Sequence, residues 1–361
     1  MSRFDECPYQ PDPKPTPVVT KGEFPIAAAH LDHPHIYGMC QALEEAGANV
    51  TWVYDSDEAK VAEFLKLFPQ AKVARSEEEV LSDPAVKIVA GAAVTSERAD
   101  LGIRVMGAGK DYFTDKAPLT TLDQLARAKE SVERTGQKYA VYYSERINVE
   151  SAVFAGQLIE RGVIGRVLQV LGLGPHRLGQ SPRPAWFFEK EKYGGILCDI
   201  GSHNIEQVLW YSGASDAEIR GAAIANYAHP QYPELDDFGE CSLLTNTGAS
   251  GYFRVDWFTP DGLQNWGDGR MFVLGTEGYI EQRKYLNVGT DDGPGNVFVV
   301  NGQGEWKMNV SGKVGTPYFG RLILDCLNRT ETAMTQVHAF KAAELSVKAQ
   351  LAAQVVPTDK G

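Results

Sequence analysis

The 361-residue sequence has no apolar run approaching the roughly 18 residues that a membrane-spanning helix needs. It also lacks any cluster of lysine and arginine, and its formal net charge is −12. Because binding to phosphate backbones requires concentrated positive charge, we expect no nucleic-acid partner and no membrane partner. The first 23 residues contain five prolines but no basic segment followed by an apolar one, so they predict a tail and not a secretion signal.

Paired cysteines are missing as well. The five cysteines are odd in number and far apart, with no C-x-x-C pair: Cys7, Cys40, Cys198, Cys241 and Cys326. This spacing argues against a disulfide framework and a cysteine-rich zinc site, and it favours a reducing, cytoplasmic location. With 43% hydrophobic and 23% charged residues the chain reads as an ordinary globular protein. Its length predicts two domains at about 150 residues each.

Strand and helix patterns alternate through the first half. Helical patterns separate five strand candidates, which are Phe24–Leu31, Asn49–Asp55, Lys72–Ala74, Val86–Val94 and Asp111–Thr114. This alternation predicts an α/β domain with a Rossmann-like, doubly wound parallel sheet. Ligands of such sheets bind beyond the carboxyl ends of the strands.

The glycine fingerprint of dinucleotide-binding sheets, G-x-G-x-x-G after the first strand, is absent. Residues 28–38 read AAHLDHPHIYG, so the backbone lacks the glycines that let it approach a diphosphate. Pro34 still suits the first turn of a helix, whose N-terminus attracts phosphate. Asp55 ends the second strand, where a carboxylate can bind the adenosine ribose hydroxyls and repel a 2′-phosphate. This favours NAD over NADP, although Asp55 could instead cap the next helix.

Asp32, His33 and His35 in the same loop are residue types that bind zinc. The alternative is a polar loop that enters a helix, with Asp32 as the helix cap. We favour the polar loop, expect a role in contacting the cofactor ahead of metal binding, and expect no metal site.

From about Arg166 the pattern changes to β-rich segments separated by turns, and two helical patterns close the chain at Phe319–Asn328 and Ala339–Gln354. This predicts an α+β second domain with a large, mainly antiparallel sheet. The strand candidates are Val167–Gly172, Ala217–Tyr227, Gly239–Leu244, Gly251–Phe258, Met271–Leu274, Tyr279–Gln282 and Asn296–Val300. The predicted divisions are a tail (1–23), a dinucleotide-binding domain (24–145) and a substrate-binding and oligomerisation domain (146–361).

The segment 193–206, YGGILCDIGSHNIE, carries the strongest catalytic signal. Ser202 can cap a helix that begins with His203, and Asp199 lies four residues before His203. A carboxylate beside an imidazole tunes its basicity, as a general base requires. The alternative is a buried Asp199 that caps the helix beside a solvated His203.

Four motifs in order resemble the glucose-fructose oxidoreductase / inositol dehydrogenase (Gfo/Idh/MocA) family. The sequences GAGK (107–110) and DKAP (115–118) are similar to that family's A-G-K and E-K-P, and the pair Gly194-Gly195 precedes a D-x-G-x-H (199–203). LGTEG (274–278) matches its G-T-E-G turn, and the similarity covers nearly everything after residue 24. The chain departs from the family in its glycine-free loop, in Arg98 where the family often has histidine, and in Glu206 at the last acidic position.

The resemblance implies an NAD(P)-dependent oxidoreductase that transfers a hydride between nicotinamide and a secondary alcohol of a sugar, polyol or sugar derivative. It places the family's catalytic residues on Lys116, Asp199 and His203. His203 would take the hydroxyl proton, Asp199 would orient it, and Lys116 would stabilise the developing alkoxide. Gly194 and Gly195 would let the substrate approach the backbone. The expected cofactor, NAD in preference to NADP, would contact Leu31, Asp32, His33, His35, Ile36, Asp55, Thr95 and Lys116.

A basic and aromatic cluster at residues 176–188 precedes the catalytic segment. Arginine, histidine and tryptophan suit a polyhydroxylated or carboxylated ligand. The alternative is a surface connection held by Phe187 and Phe188. The expected substrate-contacting residues are His176, Arg177, Arg183, Trp186, Asp199 and His203. A second candidate rim, equally compatible with a structural role, is Asp256, Trp257, Trp266, Asp268 and Arg270.

Two other functions fit the same residues. One is a lyase, hydratase or glycosidase-like enzyme on the same fold, with a transient redox step or none, and the glycine-free loop motivates it. The other is a sensor that binds its ligand without catalysis. The presence of Lys116, Asp199 and His203 together argues against this alternative.

A homodimer or homotetramer is expected because few helices are available to cover the second sheet. Helices near 146–161 and 203–212 can cover one face, which leaves strands such as Gly251–Phe258 with an apolar outer side. The resemblance implies that this face forms the contact between subunits. The alternative is a monomer whose loops 261–269 and 291–295 fold over the sheet.

Overall fold

The computed structural model describes residues 7–179, 183–290 and 293–358. Its first sheet has six parallel strands in the order β3-β2-β1-β4-β5-β6, the doubly wound arrangement that the alternating pattern predicted. The strands are β1 (Pro25–Ala29), β2 (Asn49–Tyr54), β3 (Lys72–Val73), β4 (Ile88–Gly91), β5 (Asp111–Asp115) and β6 (Tyr139–Tyr142). The connecting helices are α1 (His35–Glu45), α2 (Glu58–Leu67), α3 (Glu77–Ser82), α4 (Arg98–Gly107) and α5 (Leu122–Thr135).

The central strands are buried along their length because helices cover both faces of the sheet. β1 and β4 therefore read as continuous apolar runs without alternation, whereas β5 (DYFTD) also buries polar side chains. The helices have local start and stop signals, as α5 illustrates. It begins with a capping box between Thr121 and Gln124 and ends at Gly136, whose φ is 67°.

The second sheet has nine strands in the order β14-β13-β12-β11-β7-β10-β9-β8-β15. Adjacent strands of this sheet are antiparallel except for the pairs β7/β10 and β8/β15, which are parallel. The prediction of a mainly antiparallel sheet is therefore confirmed. The strands are β7 (Val167–Pro175), β8 (Ala217–Ala225), β9 (Phe238–Thr245), β10 (Ser250–Asp256), β11 (Arg270–Gly275), β12 (Gly278–Arg283), β13 (Asn296–Asn301), β14 (Gly304–Asn309) and β15 (Gln354–Val355).

Helices cover one face of the second sheet, and buried and partly exposed residues alternate along strands such as β9. The remaining helices are α6 (Ser144–Ile147), α7 (Glu150–Glu160), α8 (Lys190–Tyr193), α9 (Ile196–Asp199), α10 (Gly201–Ser212), α11 (Pro317–Asn328) and α12 (Gln336–Ala352), with 3₁₀ turns at Thr95–Glu97 and Ala185–Phe188. The predicted end of the last helix at Gln354 is wrong. The helix ends at Ala352, and Gln354, which lies in β15, pairs with Ala223 of β8.

The described part of the N-terminal segment and helix α11 pack against the two sheets. Tyr9 contacts Trp306 of β14 edge to face, and the Val18 N–H donates to the Ala46 carbonyl beyond α1. Although α11 follows the second sheet in the chain, it packs Phe319 and Ile323 into the core on the first sheet. Residues 1–6, part of the predicted tail, lie outside the described residues. Among those described, no helix is both long enough and apolar enough to cross a bilayer.

Candidate active site

The loop between β1 and α1 lies at the carboxyl ends of the parallel strands. His30 has a left-handed backbone with φ of 56°, a conformation for which glycine is normally preferred. Two hydrogen bonds fix the loop. The Leu31 N–H donates to Asp55 Oδ2 at 2.6 Å, and the His33 N–H donates to the Ala92 carbonyl at 3.0 Å. The glycine-free loop is therefore ordered by its neighbours on β2 and β4.

Asp55 does not cap α2. That role belongs to Asp57, whose side chain accepts the Ala59 N–H. The nearly buried Asp55 carboxylate lies 3.8 Å from the Lys60 ammonium, which donates to Asp32 at 2.6 Å. Asp32 is likewise not a helix cap, because α1 begins after Pro34 without a side-chain cap. Asp32 and Asp55 thus flank one lysine at the end of β2.

The buried carboxylate of Asp115 contacts both histidines of the loop between β1 and α1. Nδ1 of His35 lies 2.7 Å from Oδ1, and Nδ1 of His33 lies 3.0 Å from Oδ2. The Arg98 guanidinium donates to the same Oδ2 at 3.0 Å. Burial would raise the pKa of Asp115, but His35, Arg98 and His33 hold it well below its ordinary value. Burial, followed by the neighbouring His35, lowers the pKa of His33 to about 4.

Candidate metal-ligand atoms of His33, His35 and Asp115 lie within 4.8 Å of one another, close enough to hold a divalent cation. Arg98 opposes that use, because its charge already neutralises Asp115 and would repel a cation. Arg98 also donates to the carbonyls of Lys116 and Ala117, which fixes the start of the D-K-A-P segment. The arginine that replaces the family's histidine is thus buried and structural.

Lys116 and Asp199 meet across the two halves of the chain. The Lys116 ammonium donates to Asp199 Oδ1 at 2.6 Å, and both side chains are almost fully buried. Burial would raise the pKa of Asp199, but Lys116 lowers it below its ordinary value. Asp199 is therefore a carboxylate at neutral pH, and Lys116 Nζ has further N–H donors for a ligand.

The expectation that Gly194 and Gly195 make room for substrate is wrong at Gly195. A Cβ there would lie 2.2 Å from the Gln350 side chain, so α12 and not a ligand occupies the space. Both glycines also have a φ of 88°, which L side chains rarely adopt. They serve the turn that places Asp199.

His203 lies two residues further into α10 than predicted, because the helix already begins at Gly201, and it is 2% exposed. Ser202 does not cap the helix, because its hydroxyl donates to the Asp199 carbonyl at 2.7 Å. The expected pairing of Asp199 with His203 is wrong, since Asp199 pairs with Lys116. Burial lowers the pKa of His203 well below its ordinary value, so the imidazole is neutral at neutral pH.

Two buried residues that the sequence did not single out, Glu145 and Lys284, lie beside His203. The Lys284 ammonium donates to Glu145 Oε2 at 2.6 Å, and Glu145 Oε1 lies 3.9 Å from His176 Nε2. Burial would raise the pKa of Glu145, but Lys284, then His203 and His176, lower it to about 2. Nothing in the local sequence indicates this pair, because 139 residues separate its members.

The predicted substrate residues divide into two groups. His176 packs against Trp266 and Trp257 with ring centroids 4.5 and 5.5 Å apart, so the two candidate clusters meet around it. Arg183 lies between Phe187 and Trp257, and the attraction of Asp199 partly offsets the lowering of its pKa by burial.

Arg177 instead holds a loop, donating to the carbonyls of Pro260, Leu263 and Asn265. Trp186 packs edge to face on Phe187, with ring centroids 5.9 Å apart.

The residues fit a dinucleotide best at its two ends. Asp55 would lie at the ribose end of such a ligand, and Lys116 with Asp199 and His203 would lie at its nicotinamide end. Between these two ends, where the diphosphate would lie, the first N–H groups of α1 already form hydrogen bonds within the loop. The Ile36 N–H, for example, donates to the His33 carbonyl at 3.2 Å. Ile36 is fully buried and Thr95 nearly so, which leaves the exposed parts of the His33 and His35 imidazoles for a diphosphate.

Two family models match the chain. Residues 33–143 match the oxidoreductase family model with an NAD-binding Rossmann fold, and residues 153–281 match the GFO/IDH/MocA C-terminal domain. The chain belongs to the Gfo/Idh/MocA oxidoreductase family.

Named relatives are dehydrogenases. The chain is 27% identical over 236 residues to scyllo-inositol 2-dehydrogenase (NAD(+)) of Bacillus subtilis, covering 65% of this chain and 66% of that protein. It is 28% identical over 152 residues to D-xylose dehydrogenase of Paenarthrobacter nicotinovorans, covering 41% and 39% respectively. The alignments thus span less than two thirds of either relative's length.

Solved structures share the fold. An oxidoreductase structure from Erwinia carotovora is 50% identical, with a TM-score of 0.90, and the match covers 92% of this chain and all of that one. A levoglucosan dehydrogenase complex with NADH and L-sorbose is 16% identical, with a TM-score of 0.73 and coverage of 91% and 96%, which supports the fold alone.

Proposed function

We propose that this protein is an NAD-dependent dehydrogenase that oxidises a secondary alcohol of a sugar, polyol or sugar derivative. The observation that carries the proposal is the buried Lys116–Asp199 pair beside a neutral His203. A bound nicotinamide cofactor would supply the hydride acceptor. The activities of the named relatives on inositol and xylose support the substrate class.

Residues of this chain would accept the hydroxyl proton and stabilise the negative charge that develops on the substrate oxygen. Lys116 donates hydrogen bonds to the substrate oxygen and stabilises negative charge as the hydroxyl proton leaves. His203 accepts that proton on a ring nitrogen, which requires the neutral imidazole that burial maintains. Asp199 accepts a hydrogen bond from Lys116 and fixes its side chain in place. Arg183 and His176 border the site and bind further hydroxyls.

NAD in preference to NADP is proposed from Asp55. A 2′-phosphate beside the Asp55 and Asp32 carboxylates would meet two negative charges, while Lys60 is already occupied between them. Contacts of Leu31, His33, His35 and Thr95 with the cofactor belong to the same proposal.

The experiment is a screen of sugars and polyols with NAD and NADP, following reduced nicotinamide by absorbance. Mass spectrometry under non-denaturing conditions would first establish whether the purified protein retains a dinucleotide. Turnover with NAD and a polyol is the expected outcome. Absence of dinucleotide binding at millimolar concentration would contradict the proposal.

A lyase or hydratase is the second candidate. It is favoured by one observation, the occupied N–H groups at the start of α1, which leave the diphosphate without the usual backbone donors. Such an enzyme would convert its substrate without net change in reduced nicotinamide. Product analysis by mass spectrometry separates the two, because dehydrogenation removes two hydrogen atoms and elimination removes water.

A further inference from the structure

His203 lacks the carboxylate partner that its proposed role requires. Asp199 is committed to Lys116, and His203 Nδ1 is buried without a hydrogen-bond partner among the described residues. A buried imidazole that accepts a proton becomes a buried cation, which is costly unless a negative charge lies near it. Some other group must supply that charge.

Charged and titratable groups face His203 from four elements. Lys116 follows β5, His35 begins α1 and Lys284 follows β12, and all three oppose a positive charge on His203. Glu145, in α6, is the one group among these four that favours it. Of these four groups, Glu145 alone supplies a negative charge that favours a protonated His203.

Glu145 is held in a fixed position. Lys284 donates to its Oε2 at 2.6 Å and also to Gln207 Oε1 at 2.9 Å, and Gln207 Nε2 in turn donates to the His203 carbonyl at 2.9 Å. The side chains of Glu145 and Lys284 are 4% and 1% exposed. Oε1 has no hydrogen-bond partner among the described residues and lies 3.9 Å from His176 Nε2. A buried carboxylate that is joined to His203 through Lys284 and Gln207, and that has one oxygen without a hydrogen-bond partner among the described residues, provides the missing counter-charge.

We infer that Glu145 is a positioning residue that provides the negative charge against which His203 becomes protonated, with Lys284 setting the strength of that charge. The inference rests on the proposed function. As the alcohol is oxidised, the carbon–hydrogen bond breaks and its electron pair leaves with the hydride for nicotinamide. The oxygen–hydrogen bond also breaks, and its proton goes to His203. Glu145 remains a carboxylate throughout and stabilises the imidazolium by charge alone.

The test uses opposite changes at the two partners. Lys284→Met leaves Glu145 uncompensated, so His203 should protonate at a pH about 1–3 units higher than in the unmodified protein. Glu145→Gln leaves Lys284 uncompensated, so His203 should stay neutral at every pH at which the protein is folded. The double variant Glu145→Gln/Lys284→Met has no net charge at this place and should lie between the two. It also covers the possibility that a single variant does not fold.

The readout is NMR of protein labelled with ¹⁵N-histidine, which needs neither cofactor nor substrate. The chain has seven histidines, and His203→Gln identifies the signal of interest by its loss. The inference is supported if the pKa of His203 shifts in opposite directions in the two single variants. It is also supported if the pKa of His203 in the double variant lies below that in Lys284→Met or above that in Glu145→Gln. Equal His203 titration in the unmodified protein and every folded variant overturns it.

Kinetics separate this inference from the proposed function. If the unmodified protein turns over a polyol with NAD, the acid limb of kcat/KM should move to higher pH in Lys284→Met and to lower pH in Glu145→Gln. If no polyol is oxidised, the proposed function fails while the NMR result still decides the role of Glu145. If turnover is normal and neither variant moves the acid limb or the NMR titration, the inference alone is wrong.

Discussion

At the scale of single residues, the site depends on charges that are buried in pairs. Lys116 and Asp199 are each poor candidates for burial alone, because an unpaired buried charge costs several kcal/mol. Together they place a fixed ammonium next to His203 without a net charge. Removing either member leaves the other without its partner, so these residues are expected to act as a unit.

Lys116→Met, Asp199→Asn and His203→Gln should each reduce turnover strongly while the protein stays folded. For His203→Gln the loss should be about 10²–10⁴-fold, the usual contribution of a general base. Steady-state kinetics on the substrate found by the screen measures the effect, and circular dichroism checks the fold. Lys192→Met and His229→Gln remove a lysine and a histidine outside the site and should leave turnover unchanged. Near-full activity of His203→Gln would refute the assignment.

Asp55→Ala should narrow the preference for NAD over NADP. The carboxylate at the end of β2 lies where a 2′-phosphate would bring a like charge. Calorimetric titration of both cofactors measures the affinity ratio without catalysis. Asp57→Ala is the matched control, because it removes the cap of α2 and not the carboxylate at the end of β2. Equal affinities for NAD and NADP in the unmodified protein would remove the basis for this prediction.

Individual residues of the candidate site are easier to predict from the sequence than the partners they have in the structure. Lys116, Asp199 and His203 stand next to glycines, strand ends and helix starts, and those local signals are visible in the chain. Pairings such as Lys116 with Asp199, or Glu145 with Lys284, join distant segments and depend on how the two sheets pack. The sequence therefore predicts that Asp199 pairs with its near neighbour His203, whereas in the tertiary fold Asp199 pairs with Lys116.

At the scale of elements, one buried carboxylate joins three helices. Glu206 in α10 accepts from Arg146 of α6 at 2.6 Å and lies 3.0 Å from His338 Nε2 of α12. Burial would raise the pKa of Glu206, but Arg146 and then His338 lower it to about 2 from an ordinary 4.5. Because the folded pKa is depressed, the stabilisation is complete above the ordinary value and is lost as the pH falls towards 2.

Glu206→Gln should lower the free energy of unfolding at neutral pH by about 3 kcal/mol, in line with the pKa difference. The gap between variant and unmodified protein should shrink as the pH falls below the ordinary glutamate value. Urea unfolding at a series of pH values measures both effects. Glu160→Gln, at an exposed position in α7, should show no comparable gap. A gap that stays constant on acidification would contradict this account of Glu206.

The elements that the sequence predicted are those with a strong apolar pattern. The buried strands β1 and β4 read as apolar runs, and β9 and β10 read as alternation. Strand β14 was missed because it is a polar edge strand in which Trp306 is the buried side chain. Strand β6 was missed because its four residues follow directly on the polar end of α5.

At the scale of the whole molecule, the second sheet has an open face. Its partly exposed side chains include Leu171, Phe272 and Tyr279, and the rings of Phe272 and Tyr279 stack with centroids 4.9 Å apart. Leu274 on the same strand as Phe272 is 37% exposed. Loop 291–295, the alternative cover for this face in a monomer, lies partly outside the described residues. An apolar sheet face of this kind is typical of a subunit interface.

We therefore predict a homodimer or homotetramer that joins through this face, cyclic dimers being the commonest assembly. Sedimentation equilibrium at micromolar concentration should give a mass that is a multiple of the 39.5 kDa chain. Phe272→Glu should shift the protein towards the monomer, because a charge in an apolar interface is left without a partner. Val337→Glu, which puts the same charge on an exposed apolar position of α12, should leave the mass unchanged. A single species near 39.5 kDa for the unmodified protein would refute the interface and leave the catalytic assignment intact, because every residue of that site comes from one chain.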